Sequence, residues 1–157
     1  RGALFEHVVA EAMRATGYNG VELNKFCRDV NGIQKEADVV ASNNKEVLFI
    51  EGKGYNINKQ VTKDEIDYWL IEQVPVFYKY CLSHPDWKNK KFIFEFWTSG
   101  AFSDEALARL NNAKNATKKY QINYKNYNNV LSFIEESNTP ALLKTYKEHF
   151  LNYPKHH

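Results

Sequence analysis

Three residues in this chain have types and spacing suited to chemistry: Asp38, Glu51 and Lys53. Glu51-Gly52-Lys53 follows directly on Val47-Leu48-Phe49-Ile50, an apolar run that predicts a strand covered on both faces. Side chains alternate along a strand, so Glu51 and Lys53 share a face with Gly52 between them. Asp38 opens a brief β-branched stretch, Asp38-Val39-Val40-Ala41, and Ser42-Asn43-Asn44-Lys45 has the composition of a turn. A hairpin joining the two strands brings Asp38 close to Glu51. The product is two carboxylates and an ammonium at the end of a buried strand.

Two close carboxylates raise each other's pKa, and a divalent cation relieves their repulsion. Hard oxygen donors of this kind suit Mg²⁺, with Mn²⁺ as a substitute, bound by one or two carboxylates, water and substrate phosphate. A metal so held polarises a phosphodiester and acidifies a bound water. Lys53 is then placed to orient that water or to stabilise charge developing on phosphorus. Glu-x-Lys by itself is common at solvated strand ends. The apolar run before it, the aspartate 13 residues upstream and Gly54 directly after it give it more weight. Gly54 is expected to let a ligand approach the backbone closely.

The elements that must position these groups follow from periodicity. Leu4, Phe5, Val8, Val9, Ala12 and Met13 lie on one face of a helix that ends at Gly17. Val21 to Phe26 reads as a short strand, with a turn at Asp29, Asn31 and Gly32. Thr62 and Glu65 have capping-box spacing for a helix that Pro75 kinks or restarts. Phe92 to Trp97 is the strongest strand in the chain. Ser103 caps a helix from Asp104 to about Ala116, Lys119 to Ile122 reads as a strand, and Asn129 to Glu136 as a short helix. Thr139-Pro140 opens a last helix to about Asn152. The expected fold is α/β, a mixed β-sheet flanked by α-helices.

These residues resemble a known family. Asp38…Glu51-Gly52-Lys53 is similar to the D…ExK motif of the PD-(D/E)xK nuclease superfamily, the restriction-endonuclease-like fold. Gly2-x-x-Phe5-Glu6, with the helix ending at Gly17-Tyr18, resembles the first helix of Mrr-type restriction endonucleases. Gly32-Ile33…Ala37-Asp38-Val39-Val40-Ala41 is similar to the segment carrying their metal-binding aspartate. Thr98 to Ala106 resembles the turn after their next core strand. The likeness runs from Gly2 to Ala116 in the family's order. It departs at Ala37, where proline is common, at Glu51, where many Mrr-type members carry glutamine, and at Gly52, where a bulkier residue is usual. The resemblance implies Asp38, Glu51 and Glu6 as metal ligands, Lys53 as a catalytic partner, and Mg²⁺-dependent cleavage of DNA. It also implies a role in restriction, defence or repair. On spacing alone Glu6 is an ordinary solvated helix residue. Cutting both strands of a duplex needs two sites, hence a dimer or a fused or partner domain.

Other candidates weigh less. Glu36 can share Asp38's face. Glu95 lies inside an apolar strand and must reach solvent, a lysine or the site. Gln73 with Phe77 or Tyr78 is similar to a Gln-x-x-x-aromatic element of RecB-like nucleases, but that spacing is also plain helix packing and is read as such. Lys35, Lys45, Lys53, Lys59 and Lys63 surround the site in sequence. Lys88, Lys90 and Lys91, and then Lys114, Lys118, Lys119 and Lys125 interleaved with Tyr120, Tyr124 and Tyr127, form further basic clusters that could meet phosphates.

Composition bounds the rest. The chain has 157 residues, with 43% hydrophobic and 25% charged, enough for one core. Ten Phe, ten Tyr and three Trp exclude global disorder. A net charge of +2 excludes polyanion binding by bulk charge alone but allows a local basic groove. No run is long and apolar enough for a membrane span. Cys27 and Cys81 form no metal-ligand or CxxC pattern and suit a reducing, cytoplasmic setting. There is no Walker loop, His-rich metal motif or nucleophilic triad. Residues 1–155 read as a single domain excised from a longer protein, since the chain opens on Arg1, and His156 and His157 as an affinity-tag remnant. Two other classes stay open: a nucleic-acid-binding or assembly module on the same fold with little or no catalysis, and an aromatic-rich protein-interaction domain.

Overall fold

A computed structural model describes residues 1–151. Helix α1 (Gly2–Ala15) buries Phe5, Val8, Val9, Ala12 and Met13, the face marked by their spacing. Gly17, with φ +93°, turns the chain into an antiparallel meander. Its strands are β1 (Gly20–Arg28), β2 (Gln34–Ser42) and β3 (Glu46–Lys53). A short strand β4 (Gln60–Val61) precedes helix α2 (Lys63–Tyr68), whose Thr62–Glu65 capping box forms as expected. The chain then widens into a π-helical turn over Trp69–Gln73 and restarts as α3 (Val74–Ser83), with Pro75 in its first turn. Next come β5 (Lys91–Thr98), β6 (Ala101–Phe102), α4 (Asp104–Lys114), β7 (Gln121–Lys125), α5 (Tyr127–Glu136) and α6 (Pro140–Tyr146). A second π-helical turn covers Lys147–Leu151.

The main sheet has the order β1-β2-β3-β5-β7. β3, β5 and β7 run parallel, so the sheet is mixed. A parallel pair, β4 and β6, joins the segments that follow β3 and β5. Helices cover both faces, as the sequence pattern predicts. Leu48, Ile50, Ile93 and Trp97 pack with α1, α5 and α6. Val47, Phe49, Phe92, Phe94 and Phe96 pack with Ile66, Trp69, Phe77 and Leu110 on the opposite side. Cys27 and Cys81 are buried free thiols in that second layer. Among the described residues no helix is long and apolar enough to cross a membrane.

Several boundaries differ from expectation, among them the start of α5 at Tyr127 instead of Asn129. β1 and β2 are longer than the β-branched stretches suggested, because their outer halves pair with each other beyond the last β2–β3 pair. β7 begins at Gln121, not Lys119, whose N–H instead donates to the Thr117 hydroxyl in the preceding turn. The last helix changes to π geometry after Tyr146. Asn152 and the tag reading of His156 and His157 lie outside the described residues.

The glycines after Glu51 serve packing within the fold. A Cβ at Gly52 would stand 3.2 Å from the Phe5 ring. A Cβ at Gly54 would stand 2.9 Å from both the Arg1 carbonyl oxygen and the Phe5 Cβ. Gly54 thus admits the start of α1, which corrects the expectation that it admits a ligand. Gly54→Ala should cost about 2 kcal/mol through forced displacement of α1. Urea unfolding should show a lower midpoint with an unchanged slope.

Candidate active site

Asp38 sits where the sheet changes its facing pattern. In a regular strand Ala37 and Val39 would face the same way. Here Ala37 packs in the layer of α2 to α4, and Val39 in the layer of α1. On β1 the switch coincides with Asn24, at φ +52°, a left-handed conformation that asparagine tolerates. Asn24 stands between Leu23 and Lys25, the partners of Val39 and Ala37. Its amide donates to Glu6 at 3.2 Å. The Asp38 carboxylate accepts from the Gly52 N–H at 2.9 Å, which fixes it against the end of β3.

The four expected site residues converge there. Burial and then the neighbouring Asp38 push the Glu51 carboxyl up to about 8. Burial, Asp38 and Glu36 push Glu6 up to about 7. Asp38 is also raised, by burial above all, against the lowering effects of the Gly52 N–H and Lys53. Lys53 is the cation that opposes the repulsion at all three carboxyls. Glu36 bears on the cluster through charge while staying exposed. Among the described residues no three His, Cys, Asp or Glu side chains already stand in positions to ligate one metal. Asp38 and Glu51 are hard oxygen donors, the type that takes Mg²⁺ only together with water and phosphate when so few protein ligands are present.

Lys53 is held through its backbone. Its carbonyl oxygen accepts from the Tyr55 N–H at 2.8 Å, the Thr98 hydroxyl at 2.9 Å and the Ser99 N–H at 3.2 Å. The Thr98 hydroxyl also accepts from the Gly100 N–H at 2.9 Å, and the Ser99 hydroxyl donates to the Tyr55 carbonyl at 2.7 Å. Thr98 and Ser99 are both fully buried. With its main chain fixed, the lysine's freedom is confined to its side chain. Glu51 and Lys53 line a cleft of about 300 Å³ with Glu65, Tyr68 and Gln73. Burial raises the Glu65 carboxyl, but hydrogen bonds from Tyr55 and Thr62 outweigh it and hold the group below its usual range.

Sequence reasoning missed several of these parts. The Gln73 spacing matches helix packing, yet the π-helical turn that ends at Gln73 leaves its side chain on the cleft beside Glu51 and Lys53. Thr98 and Ser99 carried the signal of a turn but not of a clamp. Asn24 carried none. Other residues fall away from the site. Glu95 accepts from the Trp97 indole at 2.7 Å and the Asn123 amide at 3.4 Å on the α5 side of the sheet. Lys45 stands at the opposite end of β3, where its carbonyl accepts from the Lys91 N–H, so its proximity in sequence misleads. A larger cleft of about 720 Å³ lies between α1 and α6, lined by His7, Glu11 and Arg14, away from this chemistry.

No protein-family model matches this chain, and no curated protein matches it. Two solved structures are similar to it. The crystal structure of AF1548, a protein of unknown function, matches with a TM-score of 0.61 at 19% identity, over 87% of this chain and 66% of that one. MspJI restriction endonuclease, in complex with a 27-mer oligonucleotide, matches with a TM-score of 0.47 at 12% identity, over 99% of this chain and 33% of that one. The chain spans just under two thirds of the first protein and one third of the second. The first likeness shows a shared fold, and the second is too loose to carry an argument.

The raised carboxyls set a pH dependence. Glu51 titrates near 4.5 when unfolded and near 8 in the folded, metal-free protein. Between those values the folded state holds more protons, so its stability is greatest at the acid end and falls as pH rises. Glu51→Gln removes that loss. The metal-free variant should be clearly the more stable protein at pH 8, with the difference nearly gone near pH 4.5. Urea titrations in EDTA across this range measure it, and parallel pH profiles for the two proteins would contradict it.

Proposed function

We propose that this chain is a divalent-metal-dependent nuclease domain that hydrolyses phosphodiester bonds in DNA. One observation carries the reading: three carboxyls crowd one strand end with a single lysine to offset them. Such an arrangement costs stability and is unnecessary for the fold. Asp38 and Glu51 would hold Mg²⁺ or Mn²⁺, with Glu6 assisting directly or through water. The bound cation would supply Lewis-acid polarisation of the phosphodiester and a more acidic water. Lys53 positions the nucleophile or offsets charge developing on the phosphoryl oxygens. Gln73 and Tyr68 give the cleft polar contacts for the substrate.

Lys35 and Lys59 are the nearby basic groups for the DNA backbone. They stand over the Tyr68 ring at 5.4 Å and the Tyr55 ring at 4.2 Å. Such contacts position DNA without reading its sequence. Cleavage of both strands of a duplex requires a second copy or a partner domain. The resemblance of the motifs to restriction-endonuclease-like enzymes, Mrr-type ones included, supports a role in restriction, defence or repair in a cytoplasmic setting.

Plasmid cleavage tests this. Wild-type protein should nick or linearise DNA with Mg²⁺ or Mn²⁺ and stop in EDTA. Asp38→Ala and Lys53→Ala should each lower the rate about 100-fold or more. Cleavage surviving both substitutions overturns the assignment. Metal binding has its own readout: Mg²⁺ should raise the melting temperature of the wild type at neutral pH and leave Asp38→Ala unchanged. DNA binding without cleavage in any form would favour the non-catalytic binding module.

A further inference from the structure

The outer part of the β1–β2 hairpin displays apolar surface that the core does not use. The β2–β3 register ends at Val39–Ile50, whereas β1 and β2 stay paired out to Arg28–Gln34. The β1–β2 pairing therefore continues as a two-stranded arm beyond the last β2–β3 pair. Arms of this kind are marginal in water unless something locks them. Here α3 covers one face, sharing a buried layer with Cys27 and Ala37, and the turn ties down the tip. The Asp29 N–H donates to the Ile33 carbonyl at 2.9 Å, and one Asp29 carboxylate oxygen accepts from the N–H groups of Asn31 and Ile33 at 2.9 and 3.0 Å. Gly32 takes the φ of +83° that closes the turn. On this rigid frame Phe26 is 63% exposed, Val30 77% and Ile33 50%. Three large apolar side chains are thus held out to solvent by a structure built to hold them.

The arm is tied to the candidate site by register. Phe26 pairs with Glu36, so their side chains share a face. Glu36 in turn bears on the charge of Glu6 and Asp38. Arg28, two residues along β1 from Phe26, lies on the same face, and its guanidinium donates to Gln34 at 3.2 Å. Two residues of strand span about 7 Å. A ring and a guanidinium therefore alternate at that interval, beginning about one interval from Asp38. A polyanion alone gains nothing from Phe26, Val30 or Ile33, and an apolar protein surface gains nothing from Arg28. A nucleic acid with an unstacked base uses both, the base on the ring and the phosphate on the guanidinium.

We propose that Phe26, on the face of the arm opposite Cys27, is a stacking platform for an unpaired nucleobase flanking the phosphate at Asp38, with Arg28 on the neighbouring phosphate. Val30 and Ile33 then wedge against the adjoining base step. The inference rests on the nuclease reading for its substrate and deepens it. The preferred DNA is single-stranded, or a duplex opened where it is cut.

The test uses the full chain and three DNA probes of equal length carrying 2-aminopurine: a single strand, its perfect duplex, and a duplex with two unpaired positions at the label. Binding is followed by anisotropy and by 2-aminopurine emission, in EDTA and again with Ca²⁺. The wild type should bind both unpaired probes about tenfold more tightly than the perfect duplex and change the label's emission. Phe26→Ala should lose about tenfold on the unpaired probes together with the emission change, and keep its affinity for the perfect duplex. Phe26→Trp should restore both, which a merely structural role would not require. Wild-type behaviour of Phe26→Ala overturns the proposal. So does conversion of a dimer to a monomer by Phe26→Ala in sedimentation with DNA binding intact, since the arm would then be a contact between copies. A Phe26-dependent emission change without cleavage in Mg²⁺ or Mn²⁺ supports the stacking role and sinks only the nuclease reading. Cleavage with an emission change indifferent to Phe26 does the reverse.

Discussion

Between Gly52 and Gly54 the end of β3 leaves room for α1 to approach, and the rest of the site depends on that approach. A Cβ at either glycine would meet Phe5, and at Gly54 it would also meet the Arg1 carbonyl oxygen. The helix therefore packs against backbone, and Glu6, the residue after Phe5, is drawn among Asp38, Glu51 and Lys53. Hydrophobic burial of Phe5, Val8 and Val9 supplies the force that holds the helix there. The carboxyls supply none of it. They sit together because the core around them is satisfied without their consent in charge.

That separation of duties explains the electrostatics. A carboxyl pushed up to about 8 is an ionisable group whose charged form the fold disfavours. The two apolar layers absorb this cost, since each packs large aromatic and aliphatic side chains that are almost wholly buried. The positioning groups have the opposite character. Thr98 and Ser99 are buried and hydrogen-bonded, and Glu65 is held ionised by Tyr55 and Thr62. Rigid, hydrogen-bonded groups thus surround a set that is crowded in charge.

Much of this was legible in the sequence. The apolar run before Glu51 marks a two-sided strand, and alternation alone puts Glu51 and Lys53 on one face. The turn composition of Ser42 to Lys45 predicts the hairpin that brings Asp38 to β3, and the structure forms it. The helix order follows from caps and periodicity. What could not be read depends on contacts distant in sequence. Gly54 looks like a ligand-binding glycine until α1 is seen against it. Gln73 looks like a packing residue until the π-helical turn re-aims it. Lys45 and Lys53 look like neighbours, yet a strand of eight residues separates their ends. The switch at Asn24 and Asp38 has no composition of its own, because a left-handed asparagine reads like any other.

The change of facing at Asp38 also alters what a sheet ordinarily does. Side chains on its two faces normally belong to separate helical layers and sense different surroundings. Here Glu6 comes from the α1 side, Glu51 and Lys53 open onto the α2–α3 side, and Asp38 stands at the crossing. Anything that draws these groups together bears on both layers at once. The strand end is thus a place where groups carried by both helical layers meet, instead of being kept apart by the sheet between them.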